Sequence, residues 1–200
     1  MSHSFPDNLT SARLRLRRLH QADAEALCAY RSLPEVARYQ NWETFGPDDA
    51  ARLIEAQSDA EPGIPGTWFQ LAIVSAATGC EIGDCGLHCQ KEDPRVMEIG
   101  ITLAPGQQGH RYSDEAVNCL LDYVFGSLDK HRVFASIDVL NRSAIALCRR
   151  LGFRQEAHFV EHLWFKGRWG SEYVFAMLKR EWDERHLLRE SRQNPVSILP

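Results

Sequence analysis

The sequence predicts a mixed α/β fold of the α+β type, one sheet with helices interspersed. Three observations carry that prediction. Between Trp68 and Pro105 three apolar runs follow the two-residue rhythm of strands, separated by the short turns "TG" and "KEDP", which makes an antiparallel meander. Directly after it the glycine-containing loop "PGQQGHR" leads into an apolar pattern with helical spacing. The remainder runs strand, helix, strand, strand, so the two element types interleave.

Each element has a local reason. "RLRLRRL", Arg13 to Leu19, alternates Leu with Arg and reads as a strand with one wet face. "ADAEALCAYR" spaces Ala24, Leu27, Cys28 and Arg31 along one helix face, and Pro34 is expected to end that helix. Pro47 at a first helical position opens "PDDAARLIEAQ", whose early acidic residues suit a helix N-terminus. "AEPGIPG" is a loop, because its prolines and glycines break regular structure. The meander strands are "WFQLAIVSA", "EIGDCGLHCQ" and "VMEIGITLAP".

The helix "SDEAVNCLLDYVFGSL" places Ala116, Leu120, Tyr123 and Val124 on one face. A strand "RVFASIDV" follows, then a helix "NRSAIALCRRL" stopped at "GF", and two closing strands, "EAHFVEHLWFK" and "EYVFAMLKREW". Residues 1–182 are expected to form a single domain, with 183–200 a polar tail that begins helical and then frays.

Bulk properties narrow the function. Two hundred residues, 44% hydrophobic and 25% charged, suffice for one domain with a real core. A formal charge of −4 argues against nucleic acid as a partner, since phosphates demand an excess of Lys and Arg. No run approaches the ~20 apolar residues of a membrane span, and the first residues lack a signal-peptide core, so a cytoplasmic protein is expected. The six cysteines lie scattered through apolar segments and read as reduced thiols. Cys80, Cys85, His88 and Cys89 are close in sequence, but neighbours on a strand point to opposite faces, so no metal site is expected.

The loop before the central helix has the makings of an anion site. A helix N-terminus offers unpaired N–H groups and partial positive charge, and Gly106 and Gly109 allow close approach to the backbone. The spacing is neither G-x-G-x-x-G nor a P-loop, so the loop alone is equally a strand-to-helix turn with solvated polar residues.

"MEIGITLAPGQQGHRYSDEA" resembles the acyl-CoA site of the GNAT superfamily of N-acyltransferases, in which a strand ending E-I-G-Y leads into Q-G-K-G-Y-A-x-E-A. "DVLNRSAIALCRRLGF" resembles a second signature of that superfamily, an N-x-x-S helix closing in L-G-F. The opening from Leu9 and the ending to Trp182 are similar to its RimJ/RimL-like branch, which acetylates amino groups of proteins and related amines.

The resemblance implies a splayed mixed β-sheet flanked by helices, with the pantetheine arm in the gap. It implies transfer of an acetyl or another short acyl group from acyl-CoA directly to an amine, without a metal. Gln108, Gly109, His110, Arg111, Tyr112 and Ser113 fall on its pyrophosphate loop, Leu103 on the strand position facing pantetheine, and Asn141 on its asparagine.

Glu98 falls where several members use a glutamate as base through a water; the competing reading is a carboxylate paired with an arginine, and His88 is the alternative base or a structural histidine. Ala144 replaces the serine of N-x-x-S and Cys148 the tyrosine that often protonates the thiolate, so Ser143 and Cys148 are the substitute candidates, with Cys148 also suited to core packing. His88, Glu161 (with His162) and Trp169 are expected to meet the acceptor amine, whereas Trp164 is expected to pack.

Two departures stand in the loop. Arg111 occupies the second glycine position and Ser113 that of a small residue; arginine there conflicts with a positive φ. The acceptor is a protein N-terminus, a small metabolite or an antibiotic, and a homodimer is allowed. The departures leave a second reading open, a domain that binds acyl-CoA without turnover.

Overall fold

Regular alternation of apolar and polar side chains sets most of the sheet. The computed structural model describes the backbone of residues 4–193 and side chains through residue 187. β1 (Asn8–Thr10) and β2 (Leu14–Arg18) form a first hairpin in which Leu14 and Leu16 are buried and Arg15 is exposed. A short 3-10 turn at Gln21–Asp23 leads into α1 (Ala24–Arg31), followed by α2 (Pro34–Ala37) and α3 (Pro47–Gln57). Pro34 therefore opens a helix as well as following one, because proline's fixed φ and missing N–H are tolerated in a first turn.

β3 (Trp68–Ser75), β4 (Glu81–Cys89) and β5 (Val96–Leu103) are the expected meander. α4 (Tyr112–Asp122) continues into a π-helical turn at Tyr123–Ser127, so the predicted helix widens in its last turn. β6 (Arg132–Asp138) and α5 (Arg142–Leu151) follow; Gly152, at φ 76°, ends α5 in the left-handed conformation that glycine adopts at little cost.

β7 (Arg154–Phe165) and β8 (Arg168–Leu178) turn at Lys166 and Gly167, which puts Trp169 in a strand rather than in the turn. The last strand was expected to reach Trp182, yet α6 (Lys179–Gln193) begins first. The Glu181 carboxylate accepts from the Leu178 N–H at 2.8 Å, and Trp182 is buried beside Phe125. The fraying expected at the end of the tail falls outside the described residues.

The eight strands form one sheet in the order β1-β2-β3-β4-β5-β6-β8-β7. Every neighbouring pair is antiparallel except β5 and β6. That parallel pair is joined only where Val96, Met97 and Glu98 face Arg132, Val133 and Phe134; beyond them the two strands run on to Leu103 and Asp138 without pairing to each other, each still held by its other neighbour. Leu71, Ile73, Met97 and Val133 pack with Leu120 of α4 and Leu147 of α5, while Ala72 and Val74 pack with Leu27, Tyr30 and Ile54 of the early helices. Among the described residues no helix is long and apolar enough to cross a membrane.

Candidate active site

The unpaired stretch between β5 and β6 is an opening through the sheet. A cavity of about 140 Å³ lies there, bounded by Ile99 to Ile101 on β5, Ala135 to Asp138 on β6, and Leu147 and Cys148 on α5. Tyr39 and Gln40, from the segment after α2, close its other side. The Tyr39 hydroxyl donates to the Leu140 carbonyl at 3.2 Å and the Gln40 amide to Thr102 Oγ1 at 3.2 Å, so this wall is tied to both lips of the gap.

At one end of the opening β5 runs into the glycine loop. Gln108 Nε2 donates to the Leu103 carbonyl at 3.2 Å, which folds the loop back on the strand end. Gly109 has φ 81° and Arg111 has φ 63° and ψ 18°. The conflict expected for arginine at a glycine position is therefore real in the backbone, at a cost on the order of 1–2 kcal/mol. It is not a steric block: the Arg111 side chain is 72% exposed and its nearest ionic partner is Asp114 at 3.8 Å. α4 begins at the next residue, with the first-turn N–H groups of Tyr112 and Ser113 at the loop.

Acidic residues in that first turn oppose an anion unless they are paired, and both are. Arg150 from α5 holds Asp114 through two hydrogen bonds at 2.9 and 2.8 Å, which keeps this carboxyl below its ordinary range. Burial pushes Glu115 up, but hydrogen bonds from Ser11 Oγ, Arg13 N and Arg13 Nε, each 2.7 Å, outweigh it and leave Glu115 lowered. Arg13 also donates to the His110 carbonyl at 3.2 Å and lies 4.6 Å from the Tyr112 ring centre. The loop is thus clamped and carries an excess of positive charge.

The other end of the opening is where β5–β6 pairing stops, at Glu98. In register beside it on β4 is His88, with Nδ1 3.8 Å from Glu98 Oε2; Trp68 on β3 stacks on the His88 ring at 5.0 Å. Gln90 Nε2 lies 3.0 Å from the same His88 nitrogen. The side chain nearest Glu98 is thus a histidine and not the arginine that a purely structural carboxylate is expected to have. Burial first, and the charge of Glu172 second, raise the Glu98 carboxyl above its ordinary range. Glu172 is itself held by His162 Nε2 at 2.9 Å.

The remaining predicted residues separate. Asn141 lines the cavity and caps α5, its side chain accepting from Ala144 N at 3.2 Å. Cys148 lines the cavity too, but burial pushes its thiol up to about 12. Ser143 is exposed and is not part of the cavity wall, because the helix turns Ala144 inward instead. Glu161 sits at a strand irregularity with φ 46°, exposed, its N–H donating to Ser171 Oγ at 2.9 Å. Trp169 and Trp164 meet edge to face at 5.5 Å on the surface. Trp164, expected to pack, is 63% exposed, on the strand at the sheet's outer edge. Among the described residues no group of three or more His, Cys, Asp or Glu side chains is arranged to hold a metal ion.

Residues 13–154 match the acetyltransferase (GNAT) domain family. The chain is a GNAT-family N-acetyltransferase. Over 177 residues, 88% of this chain and 98% of the relative, it is 33% identical to an uncharacterized N-acetyltransferase, p20, of Bacillus licheniformis. Its fold is that of a GNAT acetyltransferase from Bacillus anthracis, with a TM-score of 0.79 at 23% identity over 87% of this chain and 99% of that one. It is also similar to the spermidine N-acetyltransferase of Vibrio cholerae solved with CoA and spermine, with a TM-score of 0.74 at 23% identity, covering 86% of this chain and 99% of the other.

Sequence reasoning missed five residues around this acetyltransferase's candidate site. Arg13 and Arg150 clamp the loop from far along the chain, Tyr39 and Gln40 wall the cavity, and Glu172 acts on Glu98 from β8. Only Arg13 carried a local signal, its place at the start of an alternating Leu-Arg run; the others come together solely through the fold.

Proposed function

We propose that the enzyme transfers an acetyl group from acetyl-CoA directly to a primary amine, as the RimJ/RimL-like branch does. The observation that carries this reading is the gap between β5 and β6, which runs from a clamped anion loop at one end to a partly buried carboxylate at the other. Backbone N–H groups from Gln108 to Ser113 would receive the pyrophosphate, with the Arg111 guanidinium supplying charge from outside. The pantetheine arm would lie along the free edge of β5 from Leu103 toward Ile99.

Glu98 then takes a proton from the acceptor amine through a water, as the nitrogen attacks the thioester carbon. A carboxyl raised by burial is a stronger base than an ordinary one, and its ionised form is the competent one. The C–N bond forms, the C–S bond breaks, and CoA leaves as a thiolate. A Cys148 thiol near 12 is a weaker acid than a free thiol and is a poor donor to that thiolate, and Ser143 faces solvent. The thiolate therefore takes its proton from solvent.

The Glu98 and Glu172 carboxyls favour an acceptor that arrives as a cation. It gives one proton to solvent to free the attacking lone pair and its second to Glu98 as the C–N bond forms. The V. cholerae relative, solved with spermine, supports the same class. A protein N-terminus, a small metabolite amine and an amine-bearing antibiotic all belong to it. The first test is thermal: acetyl-CoA at 100 times its dissociation constant should stabilise the protein by ~2.7 kcal/mol. A melting temperature unmoved by millimolar acetyl-CoA and by CoA removes the reading.

A further inference from the structure

Tyr30 and Arg31, the last residues of α1, are buried against β4 and both meet Asp84, which is 1% exposed. At Oδ1 Asp84 accepts from Arg31 Nη2 at 2.5 Å and Gln70 Nε2 at 2.7 Å. At Oδ2 it accepts from Arg31 Nε at 3.0 Å and from the Tyr30 hydroxyl. Four donors fill the four lone-pair directions of a carboxylate, so every contact to Asp84 is donated to it.

The Tyr30 hydroxyl has one hydrogen. Burial, together with the Asp84 charge, holds it well above its ordinary range, so it keeps that hydrogen and gives it to Asp84. Yet Tyr30 Oη also lies 3.1 Å from Glu81 Oε1. An ionised Glu81 can only accept, which would set two lone pairs against each other in a buried site.

We infer that Glu81 is a neutral carboxylic acid in the folded protein and the first donor of a chain, Glu81 to Tyr30 to Asp84, that positions the Tyr39 and Gln40 wall of the cavity through Arg31. The surroundings agree. Glu81 Oε2 is buried without a hydrogen-bond partner, which a carbonyl oxygen bears at far lower cost than a carboxylate oxygen. The other charged groups facing Glu81 are Arg17 of β2 and Asp23 before α1, already bound to each other at 2.7 and 2.8 Å. Burial, and next the Asp23 charge, push Glu81 up to about 8.

Arg31 passes the constraint onward. Its carbonyl accepts from Trp42 Nε1 at 3.0 Å, and its guanidinium lies 4.5 Å from the Trp42 ring centre and 5.1 Å from that of Phe45. Trp42 ends the segment that carries Tyr39 and Gln40, and its carbonyl, with that of Ala37, receives Lys166 Nζ from the β7–β8 turn. Loss of the Glu81 proton therefore reaches the wall of the cavity between β5 and β6, which on the proposed function is where the acceptor meets the thioester. Glu81 is a positioning residue and not a catalytic one.

Glu81→Gln keeps the shape and a donor to Tyr30 but cannot ionise. The folded carboxyl binds its proton more tightly than the unfolded one, so the stability it lends is full below about pH 4.5 and is lost as pH rises to about 8. Wild type should thus fall in melting temperature relative to Glu81→Gln across that window, with a constant gap above it, and should show a protonated-carboxyl C=O infrared band at neutral pH that the variant lacks. Parallel melting curves, or no difference band, overturn the protonation. With substrates, the acceptor KM of wild type should rise several-fold above pH 8 relative to that of the variant, with kcat changing little. KM values that track each other across pH overturn the positioning role. The thermal and infrared measurements need no substrate, so their failure is separate from failure of the acetyl-transfer reading, on which only the KM measurement rests.

Discussion

The two ends of the β5–β6 gap are built by different means. At the loop end the groups offered to a ligand are backbone N–H donors, and side chains act as braces: Glu115 holds Arg13 and Ser11, and Arg150 holds Asp114. At the other end, where the proposed function puts the acceptor, the offered groups are side chains, Glu98, His88 and Glu172, carried by three strands. A backbone site tolerates sequence change provided the dihedrals hold, which is why Arg111 can stand at a glycine position. A side-chain site does not, and on the proposed function specificity for the acceptor resides there.

That contrast breaks first, if it breaks, at Glu98. Glu98→Gln should lower kcat by ~10² to 10⁴, the ordinary worth of a general base. Because the folded carboxyl is raised, wild-type activity should climb with pH as Glu98 ionises, above the usual carboxylate range, and the deficit of the variant should shrink at high pH where amines deprotonate unaided. A variant with wild-type turnover at every pH would assign Glu98 to structure. Next in size, Arg111→Ala should weaken CoA binding by about 1–3 kcal/mol in titration calorimetry, as loss of a hydrogen bond to a charged group does. Added salt should narrow that deficit. Tenfold tighter binding would instead make the arginine an obstruction.

Smaller still, Arg111→Gly should bind CoA as weakly as Arg111→Ala but melt higher, by about 1 kcal/mol, because only glycine is free of strain at φ 63°. Equal stabilities would mean the backbone relaxes there. Smallest is Trp164→Ala: at 63% exposure it should change stability by less than about 0.5 kcal/mol, and any change in activity would show in acceptor KM alone.

The parts read from sequence were those specified locally. Pro47 opens α3 and Gly152 closes α5 as their backbone restrictions dictate, and the loop is where its glycines place it. Arg111 stood out as a departure because one residue type was missing from one position. The parts not read depend on distant chain segments. β1 is only three residues and exists by pairing with β2, Pro34 joins a helix instead of merely ending one, and Trp164 is apolar yet lies on an outer edge. Arg13 reaches Glu115 over 102 residues of chain, and no periodicity encodes such a contact.

The most direct measurement follows an isotope label from acetyl-CoA in the presence of a panel of peptide N-termini, polyamines and aminoglycosides, with free CoA counted alongside. The account predicts that the label appears on an amine in a one-to-one ratio with CoA released, in wild type and far less in Glu98→Gln. Stabilisation by acetyl-CoA with no label on any amine would contradict it and leave a protein that holds acyl-CoA without using it.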